Sequence, residues 1–169
     1  LRPCYIWGGG HTPAGGRALR DAAKELGKQC AEQEMRPDYI VVASGTGTTH
    51  GGLHAGSAEA LPDTTVIGIS VAHQRAAGVE RVQEALRMLE IEGAERIEFY
   101  DDFLAGGYGQ SDLEQAETIR WAARTEGLLL DHPPQPPGAQ RLGRSGAGLV
   151  VVLLPVESGH VFGRGPQPF

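Results

Sequence analysis

Cysteine is scarce in this chain: Cys4 and Cys30 are the only two. They make no metal-ligand spacing and no disulfide framework, which fits a reducing, cytoplasmic setting. Positive charge is short as well. Fifteen Lys and Arg stand against 21 Asp and Glu, for a net charge of -6. With no basic excess to neutralise phosphates, a nucleic-acid partner is disfavoured. No apolar run approaches the roughly 20 residues a membrane helix needs, and no charged-then-apolar signal pattern opens the chain. The first residue is Leu1, not methionine, and "LRPCYIW" reads as entry into structure already under way. What is present is a hydrophobic content of 40% over 169 residues. That is enough for one domain with a real core.

Periodicity divides the chain. "RALRDAAKELGKQCAEQE" places Leu19, Ala22, Ala23, Leu26 and Cys30 on one helical face. "DYIVVAS" predicts a buried strand, "HGGLHAGSAEAL" a helix and "TTVIGISV" a second buried strand. "GVERVQEALRMLEI" predicts a helix with Val79, Val82, Leu86 and Leu89 on one face, and "ERIEFYD" a short strand. "SDLEQAETIRWAARTEG" opens with Ser111 and Glu114 in capping-box spacing and ends at Gly127, a good C-cap. "LLL" is strand-like. Such alternation predicts an α/β fold, a mostly parallel sheet with helices on both faces. After Asp131 the character changes: four prolines fall within residues 133–137. The expected organisation is a larger domain over 1–131, a Pro/Gly-rich irregular segment over 132–148, and a terminal strand and tail over 149–169. "LVVVLLPV" is the last strand candidate, expected to be parallel and buried.

The strand "DYIVVAS" runs straight into Gly45-Thr46-Gly47-Thr48-Thr49 and then a helix. Small residues there let backbone N–H groups converge on an anion, and a helix N-terminus adds unsatisfied donors and partial positive charge. Thr46, Thr48 and Thr49 supply hydroxyls. A tight turn that binds nothing is the competing reading. The Walker pattern fails because His50 stands where Lys-Ser/Thr is needed. The dinucleotide pattern fails because His50 replaces the third glycine and the second strand ends without an acid. A small phosphorylated cofactor remains.

Four segments then carry a resemblance: "YIWGGGHTPAGGRALRDAAKELGKQ", "DYIVVASGTGTTHGGLHAG", "VIGISV" and "YDDFLAGGYGQSDLEQAETIRWAARTEGLLLD". Together, in order from Tyr5 to Asp131, they resemble the D-cysteine desulfhydrase / 1-aminocyclopropane-1-carboxylate deaminase family. These are pyridoxal-phosphate enzymes of the tryptophan-synthase-β-like fold. The resemblance implies pyridoxal 5'-phosphate as cofactor, its phosphate cradled by Gly45, Thr46, Gly47, Thr48 and Thr49. It implies a small amino-acid substrate, with Tyr108 of "GGYG" near it; a half-buried core tyrosine is the other reading of Tyr108. Two positions depart from the family pattern. Thr48 stands where glycine is usual, and His11, after Gly8–Gly10, stands where serine is usual.

The family's chemistry needs a lysine amine. This chain has only Lys24 and Lys28, both on the solvated side of the first helix. The resemblance places the reactive lysine in a segment preceding Tyr5. The chain is therefore expected to correspond to the C-terminal, larger-domain part, incomplete at both ends and inactive alone. A homodimer or a missing N-terminal half is the implied partner. After Asp131 the family's "VYTGK"-like and "HTGG"-like runs are absent, which marks either an altered reading frame or a diverged remnant. The alternative function is a non-catalytic phosphate-ligand-binding module or truncated remnant.

Other constellations are weaker. His50 and His54 are four apart on a helix, but Gly51 follows where the zinc-peptidase pattern needs Glu, and no third ligand is placed, so no metal is expected. "GRSGA" around Ser145 lacks the second glycine of a nucleophile elbow. Glu90, Glu92, Glu95 and Glu98 read as a solvated face.

Overall fold

In the computed structural model, which describes residues 5, 7–91, 96–104, 113–125, 127 and 151–154, the first helix forms where the chain supplies its own cap. Gly15 N donates to Thr12 Oγ1 at 3.1 Å, and Pro13 takes the first helical position, where a missing N–H is harmless. Helix α1 (Pro13–Glu32) therefore starts before Arg17, where the apolar spacing begins. Strand β1 (Tyr39–Ser44), helix α2 (Thr48–Ala60), strand β2 (Thr65–Ser70), helix α3 (Arg75–Arg87) and strand β3 (Glu98–Tyr100) follow in alternation. Helix α4 (Leu113–Thr125) and strand β4 (Val151–Leu154) complete the described elements. Gly127 sits at φ 66°, the left-handed conformation of a helix C-cap. Tyr108, Ser111, the "LLL" run and the 132–148 segment lie outside the described residues.

The sheet order is β3-β2-β1-β4. Strands β1, β2 and β3 run parallel, with Val42 opposite Gly68 and Gly68 opposite Phe99. The fold is thus α/β with a parallel three-strand core, as the alternation predicts. One expectation is corrected. Strand β4 pairs antiparallel with β1, Val42 opposite Val151, and is not a parallel strand. An apolar run carries no information on direction; the pairing with β1 sets it.

Alternate residues of β1 and β2 face α1 and α2. Ile40, Val42 and Val66 pack with Ala23 and Leu53, and Leu26 and Leu61 extend this cluster. Phe99, Val82, Leu86 and Ala55 form a second cluster under α3. On the opposite face Ile67 is buried too.

Polar His50, in the first turn of α2, sits between these clusters and is fully buried. Its ring lies parallel to Phe99, centroids 6.2 Å apart. It fits because β2 carries Gly68 beneath it; any Cβ there would collide with the imidazole. Neither ring nitrogen makes a well-formed hydrogen bond among the described residues, the Val66 backbone being only a weak partner. Burial, with a smaller contribution from neighbouring His54, lowers the His50 pKa to about 4, and the Val66 backbone only partly offsets this.

The consequence for stability has a definite sign. Above pH ~6.5 the ring is neutral in both folded and unfolded chains. As pH falls toward 4 the unfolded chain takes the proton first, so folding weakens. At about 1.4 kcal/mol per pKa unit, the loss reaches about 3 kcal/mol. Denaturant titrations across this pH window are expected to show that loss in the parent protein, and a shallower pH slope in His50→Leu. Equal slopes would refute a neutral buried His50.

Candidate functional site

The end of β1 meets the start of α2 through Gly45, Thr46 and Gly47. Gly47 is the N-cap of α2 at φ 81°, a conformation side chains rarely adopt. It also touches the backbone of α3: an added Cβ would lie 2.5 Å from the Arg81 carbonyl oxygen and 2.7 Å from Val82 N. From the other side the Gly8–Gly10 turn closes on the loop. Gly9 has φ 64°, and a Cβ there would come within 2.6 Å of Thr46 Oγ1. The loop is thus held between two stretches of main chain.

The amides of Gly45, Thr46, Gly47, Thr48, Thr49 and His50 meet no acceptor among the described residues. The first intrahelical bond is donated by Gly51 N to Gly47 O at 2.8 Å. Free donors at a helix start, backed by the helix dipole, favour a negatively charged ligand. Thr46 is exposed at the loop, Thr49 is half-buried, and Thr48 is buried.

Side chains from distant segments join the loop. His11 Nδ1 lies 2.7 Å from Thr48 Oγ1, and Thr48 Oγ1 lies 3.2 Å from Thr46 Oγ1. His11 Nε2 faces Glu84 Oε2 of α3 at 3.6 Å, an ion-pair distance but too long for a direct hydrogen bond. Arg81 Nη1 holds the same Glu84 oxygen at 3.1 Å. His11 and Thr48 therefore hydrogen-bond to one another. Both are positions where the sequence resemblance leads one to expect other residues; nothing in the sequence pointed to Glu84.

The two lysines lie elsewhere. Lys24 Nζ is 2.8 Å from Glu59 Oε2, and Arg20 binds the same carboxylate. These partners hold the Glu59 carboxyl below its usual pKa, the Lys24 hydrogen bond first and Arg20 next. Glu59 is eleven residues beyond Thr48 on α2, about 16 Å along the helix at 1.5 Å per residue. Lys28 is exposed on α1. His54 is half-buried one turn after His50, and desolvation lowers its pKa too.

Two comparisons with known proteins place the chain in a family. A family model described as "Pyridoxal-phosphate dependent enzyme" matches residues 3–133. A solved structure titled "Crystal Structure Analysis of the ACC deaminase homologue" matches at 32% identity with a TM-score of 0.59. The match covers 75% of this chain and 38% of that one, so this chain spans well under half the length of the protein it resembles.

Gly47 is the position where a substitution is diagnostic. Gly47→Ala forces a Cβ into the Arg81 carbonyl at a positive φ, at an expected cost of about 2 kcal/mol. It also displaces the amides on either side. Denaturant unfolding should show that loss, and titration with pyridoxal 5'-phosphate should show affinity reduced about tenfold or more, the factor that about 1.4 kcal/mol represents. Unchanged affinity would mean the loop does not hold the phosphate.

Proposed function

The chain belongs to the pyridoxal-phosphate dependent enzymes, and from that membership we propose that it carries the phosphate-anchoring part of a lyase or deaminase of a small amino acid. The observation that carries this reading is the run of unpartnered amides from Gly45 to His50 beside an exposed threonine hydroxyl. Those groups fit a phosphate monoester by donor type and by helix polarity. When bound, pyridoxal phosphate supplies an electron sink for bond cleavage at an amino acid's α-carbon.

The chain's own residues divide the remaining work. Gly45, Thr46, Gly47, Thr48 and Thr49 hold and orient the phosphate, with main-chain donors foremost. Gly9 and the Arg81–Val82 backbone fix the loop. Tyr108 sits near the substrate in this reading. D-cysteine or 1-aminocyclopropane-1-carboxylate is the substrate class, supported by the sequence resemblance and by the likeness to the ACC deaminase homologue.

A second reading, a non-catalytic phosphate-ligand module or truncated remnant, is favoured by the lysines. Lys24 is engaged by Glu59 toward the far end of α2, and Lys28 is in solvent. Neither is enclosed in an apolar pocket of the kind covalent work by an amine requires. The polypeptide alone is therefore inactive in this proposal, and turnover requires a lysine supplied by a further segment or chain.

Two measurements test the pair of claims. Purified chain with pyridoxal 5'-phosphate and D-cysteine should release no sulfide above the cofactor-only rate. Borohydride reduction followed by peptide mapping should find no site-specific pyridoxyl adduct on Lys24 or Lys28. A stoichiometric adduct on either, or catalytic sulfide release, would overturn the assignment of both lysines to the surface.

A further inference from the structure

We propose that His11 is a positioning residue for the phosphate loop, and that it takes up a proton when a phosphate monoester binds there. The inference rests on the phosphate-anchoring reading above and concerns the hydroxyl chain Thr46–Thr48–His11, which ends at Glu84.

The chain has two polarities. In the first, His11 is neutral with its proton on Nε2, directed toward the Glu84 carboxylate. Nδ1 then accepts from the Thr48 hydroxyl, and Thr48 Oγ1 accepts from the Thr46 hydroxyl. Both hydroxyl protons point away from the loop, and Thr46 turns lone pairs toward an incoming anion. In the second, His11 carries protons on both nitrogens. Nδ1–H donates to Thr48 Oγ1, Thr48 donates to Thr46 Oγ1, and the exposed Thr46 hydroxyl is free to donate to a phosphate oxygen. A dianion selects the second polarity, because a charge-assisted hydrogen bond replaces a lone-pair repulsion.

The neutral alternative, with the proton on Nδ1, leaves a bare Nε2 facing the Glu84 carboxylate at 3.6 Å. Two acceptors then oppose each other, which disfavours that tautomer. Glu84 thereby couples hydroxyl reorientation to protonation, and the proton comes from solvent. Among the described residues, the charged groups placed around His11 are Glu84 and, bound to it, Arg81, both on α3. Helix α2 presents Thr48 and the loop presents Thr46, neither titratable. His50, the nearest titratable group on α2, is turned down onto Gly68 and Phe99.

The probe is pyridoxine 5'-phosphate, which has no aldehyde and forms no bond to amines, with pyridoxine as the phosphate-free control. Calorimetry in buffers of different ionisation enthalpy, well above the second phosphate ionisation at about pH 6, counts protons taken up per ligand. The parent chain should take up more protons than His11→Asn, and His11→Asn should bind about tenfold more weakly, the loss of about one charge-assisted hydrogen bond. Glu84→Gln, a change at a partly exposed helix position, lets a side-chain amide donate to bare Nε2. In that variant the extra uptake should fall more than the affinity does, the reverse of the pattern in His11→Asn. Nitrogen NMR of the imidazole should show His11 doubly protonated only in the parent complex. Equal uptake in parent and His11→Asn, or an imidazole that stays neutral in the parent complex, overturns the role of His11 alone. If pyridoxine 5'-phosphate binds no better than pyridoxine, the phosphate-loop reading fails and this inference fails with it.

Discussion

One main-chain contact organises this site: Gly47 lies against the Arg81–Val82 backbone of α3. Only a residue without a side chain can come that close while turning left-handed. The turn decides where α2 begins, and so decides which amides are left without intrahelical acceptors. It also sets the distance between α2 and α3, since the next contacts down the helix, Gly51 against Ala85 and Ala55 within the Val82–Leu86 cluster, continue the same seam. A local backbone choice thereby fixes both the loop's donors and the packing of two helices. The Gly8–Gly10 turn completes the clamp through Thr46, so the loop is held in place by its surroundings even though few of its own groups bond internally.

Electrostatically the loop is built almost without fixed cationic side chains. His50, immediately behind it, is kept neutral by burial and contributes no charge at ordinary pH. Arg81 is near, but Glu84 neutralises it at 3.1 Å. What remains is the helix dipole and the free amides, together a moderate attraction for an anion. In that balance a single ionisable group at the rim has unusual leverage. His11 is that group: it touches the loop through Thr48 and the acid through Nε2. His11 and Thr48 thus join the loop to an acidic residue of α3 through side chains alone.

The sheet and its helices were legible because their signals are local. "DYIVVAS" and "TTVIGIS" are short apolar runs bounded by turn residues, and α1 and α3 carry apolar faces, so their existence and order could be read directly; α2, buried nearly all round, was marked by its place between two strands. The start of α1 is not legible in its apolar spacing, because the Thr12–Pro13 cap begins the helix before the first residue of the apolar stripe. The direction of β4 was not legible, since an apolar run reads the same in either sense and only its pairing with β1 sets orientation. At the site, the glycine pattern pointed to the loop, but nothing along the chain could pair His11 with Glu84. That contact depends on where α3 crosses the loop, which follows from packing at Gly47.

Helix α2 also separates two chemistries. At its N-terminal end sit uncompensated donors suited to phosphate. Toward its C-terminal end Glu59 gathers Arg20 and Lys24, so the Lys24 ammonium is fixed about 16 Å away, at 1.5 Å per residue. Holding a phosphate requires only the local geometry of β1, the loop and the first turn of α2. Covalent chemistry at an amino acid requires an amine that is desolvated and within reach. The first requirement is met by residues close in sequence, and the second is not met by either lysine. Anchoring and catalysis therefore make physically separable demands on this fold: the first falls on the β1–α2 loop, the second on an amine that neither Lys24 nor Lys28 supplies in a desolvated position.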